Sequence, residues 1–281
     1  MIPKMPNPGA LTEIIREYLF PQGCALCGKI FANHSIDSCY GLCKHCRDSL
    51  AIPIAERGRC SRCGQPLISE MSTCLPCRIF SEKEASERSF DRIVSLYPYT
   101  GKFQKVLKCY KFKNRLSLGN FFIEKLWQGI AVFEDPDLKE FCWVPVPARP
   151  GKIKHKGWDQ IDYLTKLFER DIKKKNNIQK NHSREVRKSA NSISLQRCLK
   201  RLPSESQKKL NRENRLQNLK SKIVFDKAGY SFSGKAESYT VPRIAVLFDD
   251  VYTTGSTMDA CASALKSAGT EKVYGICLCY D

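Results

Sequence analysis

One stretch constrains the fold of this 281-residue chain more than any other: Arg243-Ile-Ala-Val-Leu-Phe248-Asp249-Asp250-Val251-Tyr252-Thr253-Thr254-Gly255-Ser256-Thr257. Ile244 to Phe248 is a short, continuous apolar run, the pattern of a parallel strand covered on both faces. From Met258 to Ala268 the residues Ala260, Cys261, Ala264, Leu265 and Ala268 recur at helical spacing, and Gly269 stops the helix. Between strand and helix the turn gathers two carboxylates, four hydroxyls and a glycine. A helix N-terminus offers unpaired N–H groups and partial positive charge, so a loop entering it can cradle a phosphate. Gly255 lets the backbone approach closely, and Thr253, Thr254, Ser256 and Thr257 add hydroxyl donors. Asp249 and Asp250 cannot hold that phosphate; they require a neutral donor or a metal, and ribose hydroxyls suit them. Phosphate beside a vicinal diol describes a phosphorylated ribose. The plainer alternative is an N-capped helix after any α/β strand, with two acids facing solvent.

Cysteine spacing sets the second constraint. Residues 21–80 hold four Cys-x-x-Cys pairs: Cys24/Cys27, Cys43/Cys46, Cys60/Cys63 and Cys74/Cys77. Two residues between thiolates let both sulfurs reach one tetrahedral ion, and two such pairs fill it. Gly28 and Gly64 follow the first and third pairs, as in the knuckles of zinc ribbons. The segment has few large apolar residues, so metal must supply much of its folding energy. Two structural zinc ions are expected. Pairing of first with second and third with fourth is the sequential arrangement, with a crossed one as the alternative. Redox Cys-x-x-Cys chemistry and an iron–sulfur cluster are the rival readings, and Cys39 and His45 are spare ligands read as bystanders.

Of the net charge of +18, the stretch from Arg149 to Lys222 carries +15, with 22 Lys/Arg against 7 Asp/Glu. Such a block attracts phosphates, whether of a small ligand or of nucleic acid; the alternative is a solvated, partly disordered insertion. The sequence contains no run of 18 apolar residues, so no transmembrane helix is expected. Glu13, Arg16 and Glu17 interrupt the N-terminal apolar patch, which argues against a secretory signal. A cytoplasmic location is the expectation.

Along the chain, residues 1–20 read as an amphipathic helix, 21–80 as the double zinc-ribbon module, 81–90 as a linker and 91–281 as an α/β domain. Phe90 to Tyr99 alternates like a strand, and Gly101 to Trp127 carries helical periodicity interrupted near Lys111-Phe112-Lys113-Asn114. Phe141 to Pro147 is a further strand ending near Val144, followed by a basic turn with Arg149 and Lys152. Lys156-Gly157-Trp158-Asp159-Gln160 leads into a helix containing Ile161, Leu164, Leu167 and Phe168. Residues 171–197 read as a flexible basic insertion, and 199–218 as a mobile loop spacing Arg201, Gln207, Arg212 and Arg215. Ile223-Val-Phe225 is a short strand, 226–240 a polar loop, and Val273 to Cys279 the closing strand, with Cys277 and Cys279 in the core.

The Asp249-Asp250 stretch resembles the 5-phosphoribosyl-1-pyrophosphate (PRPP) loop of type I phosphoribosyltransferases. Together with the Cys-x-x-Cys module, Lys111-Phe112, Val144-Pro-Val-Pro147, Lys156-Gly-Trp-Asp-Gln160 and the Gln207…Arg212…Arg215…Asn218 spacing, it resembles the ComF family from about residue 21 to 280. Two departures stand out: Lys156-Gly-Trp-Asp-Gln160 replaces the family's usual Arg-Gly-Phe-Asn-Gln, and the insertion at 171–197 lengthens the chain. The resemblance implies a type I phosphoribosyltransferase-like parallel sheet flanked by helices, with the ligand at the strands' carboxyl ends. On that fold Thr253 to Thr257, with Tyr252 beside them, would hold the 5-phosphate. Asp249 and Asp250 would take the ribose hydroxyls as the catalytic acids, and Arg149 and Lys152 would face pyrophosphate bridged by Mg²⁺. Lys156, Arg201, Gln207, Arg212 and Arg215 would belong to a closing hood or a nucleic-acid surface.

Three functions remain open on these residues. The resemblance implies a PRPP-binding protein of DNA uptake that handles single-stranded DNA at the cytoplasmic side, with protein partners in the uptake machinery. An active phosphoribosyltransferase would use the same loop, although no separate motif names an acceptor. A non-enzymatic regulator responding to PRPP or a nucleotide would also carry it.

Overall fold

The apolar runs of the sequence become the strands of one parallel sheet. The computed structural model describes residues 23–32, 35–52, 58–67, 72–75, 77–78, 88–133, 135, 138–150, 157–181, 193–203, 222–230 and 236–281. Short helices α1 (Ile36–Tyr40) and α2 (Lys44–Asp48) precede strand β1 (Arg92–Pro98). Helices α3 (Gly101–Phe112) and α4 (Leu118–Ile130) lead to β2 (Phe141–Pro145) and the long helix α5 (Gln160–Asn181). Short strands β3 (Ile193–Leu195), β4 (Leu199–Arg201), β5 (Ile223–Phe225), β6 (Ala228–Tyr230) and β7 (Ala236–Ser238) follow. The chain closes with β8 (Ile244–Tyr252), helix α6 (Ser256–Ala268) and β9 (Lys272–Tyr280).

The sheet order is β1-β9-β8-β2-β3, and every pairing in it is parallel. Helices cover both faces, so β2 is buried at all five positions and β9 at seven of nine, as the continuous apolar runs require. Phe248 of β8 lies on the face taken by α4 and α5. There Trp143 packs against Phe168 with ring centroids 4.8 Å apart, against Phe141 at 5.5 Å and against Trp127 at 5.6 Å. On the opposite face α6 settles close to β9, because Gly275 leaves room for it: a Cβ there would lie 2.9 Å from Met258 Cε. This is the expected α/β class, with a five-stranded parallel sheet flanked by helices.

The chain divides into two compact units. One takes the described residues up to Ala51 together with Thr100–Phe122. In it the first cysteine quartet is joined to helices α3 and α4 by Lys105 Nζ donating to the Leu26 carbonyl (2.8 Å) and Asn120 Nδ2 to the Cys39 carbonyl (2.8 Å). The other unit takes Ile52–Tyr99 and Ile123–Asp281, and so holds the second quartet and the sheet.

Several local expectations are corrected. Residues 171–181 are not a flexible insertion but the second half of α5. Lysine is a good helix former, and the helix is anchored from a distance: Trp127 Nε1 donates to Asp171 (2.7 Å) and the Lys175 ammonium sits 3.7 Å from the Trp127 ring centroid. Ile193–Leu195, also inside the expected insertion, is strand β3 and pairs with β2. The polar stretch 226–240 contains the antiparallel pair β6–β7 rather than loop alone. At the end of the expected linker, Arg88 and Phe90 are buried. The N-terminal helix over 1–20 lies outside the described residues.

Candidate functional site

Two metal centres follow from the cysteine spacing. Cys24, Cys27, Cys43 and Cys46 converge, as do Cys60, Cys63, Cys74 and Cys77, with the sulfurs of each quartet within 4.8 Å of one another. A tetrahedral ion with Zn–S bonds of about 2.3 Å holds its sulfurs about 3.8 Å apart. Cys27 and Cys43 Sγ are 3.8 Å apart, and Cys63 and Cys74 Sγ 3.6 Å. The donor sets therefore fit zinc, the pairing is the sequential one, and Cys39 and His45 belong to neither quartet. Glycines at positive φ, Gly28 (78°) and Gly64 (68°), turn the two knuckles. The Cys60 thiol is drawn far below its usual range, first by hydrogen bonds from Cys63 and Cys77.

The acid pair lies at the carboxyl end of β8, still within the strand. Successive strand residues point to opposite faces, so the two carboxylates are divided between them. Asp250 lies on the Phe248 face and accepts from Gln160 Nε2 at 2.6 Å. Asp249 lies on the other face, near Cys261 and Cys277, which stay protonated because burial, followed by the Asp249 charge, raises both thiols. Gln160 is aimed by the start of α5: Asp159 caps that helix, its Oδ1 accepting from the amides of Ile161 (2.9 Å) and Asp162 (3.0 Å).

Above the acids opens a cleft of about 430 Å³ lined by Asp249, Asp250, Asp159, Gln160, Thr257, Arg149 and Arg201, with the Val146–Ala148 segment at its wall. The guanidinium of Arg201 is pulled below its ordinary pKa, first by burial and then by the charge of Arg149. Two arginines lining one cavity favour an anion within it. The cleft thus combines cations for phosphate groups with carboxylates for hydroxyls.

The turn after β8 has a second surface. Gly255 adopts φ 74°, and a side chain there would collide with the Tyr252 ring. Tyr252 is 3% exposed, so it packs beneath the turn and does not line the cleft. The Thr254 and Ser256 hydroxyls are 2.7 Å apart and bond to one another. Thr253 and Thr254 line a smaller cavity of about 210 Å³ with Cys63, Cys74 and Cys77 of the second quartet.

Of the residues expected at the site, the structure brings Asp249, Asp250, Thr257 and Arg149 into one cleft and adds Arg201, which the sequence placed in a hood. Lys152, Lys156, Gln207, Arg212 and Arg215 lie outside the described residues. Sequence reasoning assigned no role to Gln160 or Asp159, although both sit in the quoted Lys156-to-Gln160 motif. Part of the basic block is already neutralised: Arg197 pairs with Asp162 and Glu169, Lys166 with Asp162, and Lys175 with Asp171. Among the described residues no helix is long and apolar enough to cross a membrane.

Comparison with known proteins agrees with this architecture. A family model described as a double zinc ribbon domain matches residues 15–78. Competence protein F of Haemophilus influenzae is 26% identical over 248 residues, covering 82% of this chain and 93% of that protein. Competence protein ComFC of Streptococcus pneumoniae is 25% identical over 265 residues, 89% of this chain and 96% of the relative. Competence protein ComFC of Bacillus subtilis is 24% identical over 211 residues, 75% of this chain and 72% of the relative. The resemblance to ComF proteins read from the motifs is borne out.

Proposed function

We propose that this chain, similar over most of its length to the ComF and ComFC competence proteins, acts in DNA uptake and binds a phosphoribosyl ligand of the PRPP type. One observation carries the ligand reading: Asp249, Asp250, Thr257, Arg149 and Arg201 meet in one cleft at the carboxyl end of a parallel strand. In this reading the turn over 253–257 cradles the 5-phosphate, the acids receive the ribose hydroxyls, and Arg149 and Arg201 face the pyrophosphate. Gln160 holds the Asp250 carboxylate in place through its 2.6 Å hydrogen bond. Mg²⁺ arrives with the ligand, where it neutralises pyrophosphate charge. Incoming single-stranded DNA is the proposed macromolecular partner on the cytoplasmic side, drawn by the excess of Lys and Arg between 149 and 222.

A ligand panel tests this. Thermal unfolding of zinc-loaded protein is measured with Mg²⁺ and PRPP, ribose 5-phosphate or pyrophosphate. PRPP engages both ends of the cleft, so at equal concentration it raises the melting temperature more than either fragment. At about 100 times Kd the stabilisation approaches about 2.7 kcal/mol. No shift with any of the three would refute the ligand reading. Release of pyrophosphate on adding an acceptor would assign the chain to transferases instead, and preference for one duplex sequence would make it a regulator.

A further inference from the structure

The second cysteine quartet and the turn over 253–257 are stitched together, although the sequence separates them by more than 170 residues. The knuckle Cys60–Gln65 is closed by the Gly64 amide donating to the Cys60 carbonyl (2.9 Å) and the Cys60 amide to the Gln65 carbonyl (2.8 Å). From that knuckle, Gln65 Nε2 donates to the carbonyl of Thr253 at 3.3 Å. A second tie runs through Arg62, inside the same knuckle, whose guanidinium donates to the Arg88 carbonyl at 3.0 Å. Arg88 in turn donates to the carbonyl of Thr254 at 3.0 Å. Next to it, the Ser89 amide donates to Asp259 in the first turn of α6 at 2.7 Å.

These ties fix more than position. A trans peptide is planar, and its C=O and N–H point in opposite directions. Holding the carbonyls of Thr253 and Thr254 from the knuckle side therefore turns the amides of Thr254 and Gly255 to the opposite side of the turn. Successive amides aimed one way form an anion-binding concavity. A short Cys-x-x-Cys knuckle keeps its shape only while its sulfurs are gathered on metal.

We propose that the second zinc centre controls the phosphate turn: Gln65 and Arg88 are positioning residues that hold the 253–257 backbone in its anion-binding form, so ligand affinity is linked to metal at Cys60, Cys63, Cys74 and Cys77. The ligand half of this statement rests on the phosphoribosyl reading above; the backbone half does not. By reciprocity, a bound phosphate ligand retards zinc loss from this centre.

Hydrogen exchange of the full chain, followed by mass spectrometry, tests the backbone half without any ligand. Gln65→Ala and Arg88→Ala variants keep all eight metal ligands and are first checked for two zinc ions per chain. Amides in 253–257 then exchange at least about tenfold faster than in the parent, and Cys74→Ser reproduces the effect through metal loss. Cys43→Ser, at the first centre, is the comparison for general destabilisation. Unchanged exchange at 253–257 in both Gln65→Ala and Cys74→Ser would overturn the proposal, as would equal acceleration in Cys43→Ser. PRPP affinity is read in parallel. A parent that fails to bind PRPP refutes the ligand reading alone, because the exchange result stands or falls independently. Where the parent binds, a Gln65→Ala variant with unweakened affinity contradicts the linkage.

Discussion

Stripping metal from the intact chain with a strong chelator is expected to release two zinc ions per chain and to unfold both cysteine knuckles. The reason lies in what those segments bury. Between residues 58 and 67 the buried positions are Cys60, Cys63 and Gly64, so the sulfurs are themselves the core. A structural zinc site contributes on the order of 10 kcal/mol of folding free energy at neutral pH, more than three such positions can supply by burial. Exchange protection of the amides of Cys24, Gly28, Cys60 and Gly64, each bonded within its own knuckle, should be lost. The far-UV signal of the parallel sheet should largely remain, since Ile244–Phe248 and Val273–Cys279 are buried by helices and strands. Native protein purified without zinc, or knuckle amides still protected after metal removal, would contradict this account.

Trp143→Ala is expected to cost about 3–5 kcal/mol in denaturant unfolding, the range for emptying a large aromatic site. Trp143 is fully buried and meets four aromatic rings, those of Trp127, Phe141, Phe168 and Phe248. It is where β2, β8, α4 and α5 meet. Among the described residues its indole N–H has no hydrogen-bond partner. Trp143→Phe should therefore cost much less than the alanine variant: the smaller ring leaves some void, but it also removes an unpaired buried donor, worth about 1–3 kcal/mol. Equal losses in the two variants would show that the aromatic contacts are not what this position supplies.

How much of this was legible in the sequence depends on the distance over which each feature is decided. The strand–turn–helix from Ile244 to Ala268 is a local pattern, and the helix with its Gly269 stop appears where the residues place it, whereas the strand runs past Phe248 through both acids to Tyr252. The Cys-x-x-Cys pairs announced metal, but which pairs share an ion is a question of chain path, settled only by the convergence of the sulfurs. The second half of α5 carries no local signal of its order, because its anchor is Trp127, 44 residues away from Asp171. Arg201 reads as one basic residue among many until β4 pairs with β5 and its side chain is found in the cleft. Gln65 and Arg88 carry no local signal at all, since the carbonyls that they hold lie 188 and 166 residues further along the chain. Local chemistry was readable; the supports that aim it were not.

In the proposed function the paired acids at the end of β8 receive a phosphorylated ribose. Calorimetric titration of Mg²⁺–PRPP into zinc-loaded parent, alongside an Asp249→Asn/Asp250→Asn variant, tests it most directly. Saturable binding of one ligand per chain is expected for the parent. In the variant, two charge-assisted hydrogen bonds become neutral, a loss of roughly 1 kcal/mol each, or about 30-fold in affinity. Equal affinity in the two proteins, or no heat in the parent, would contradict it.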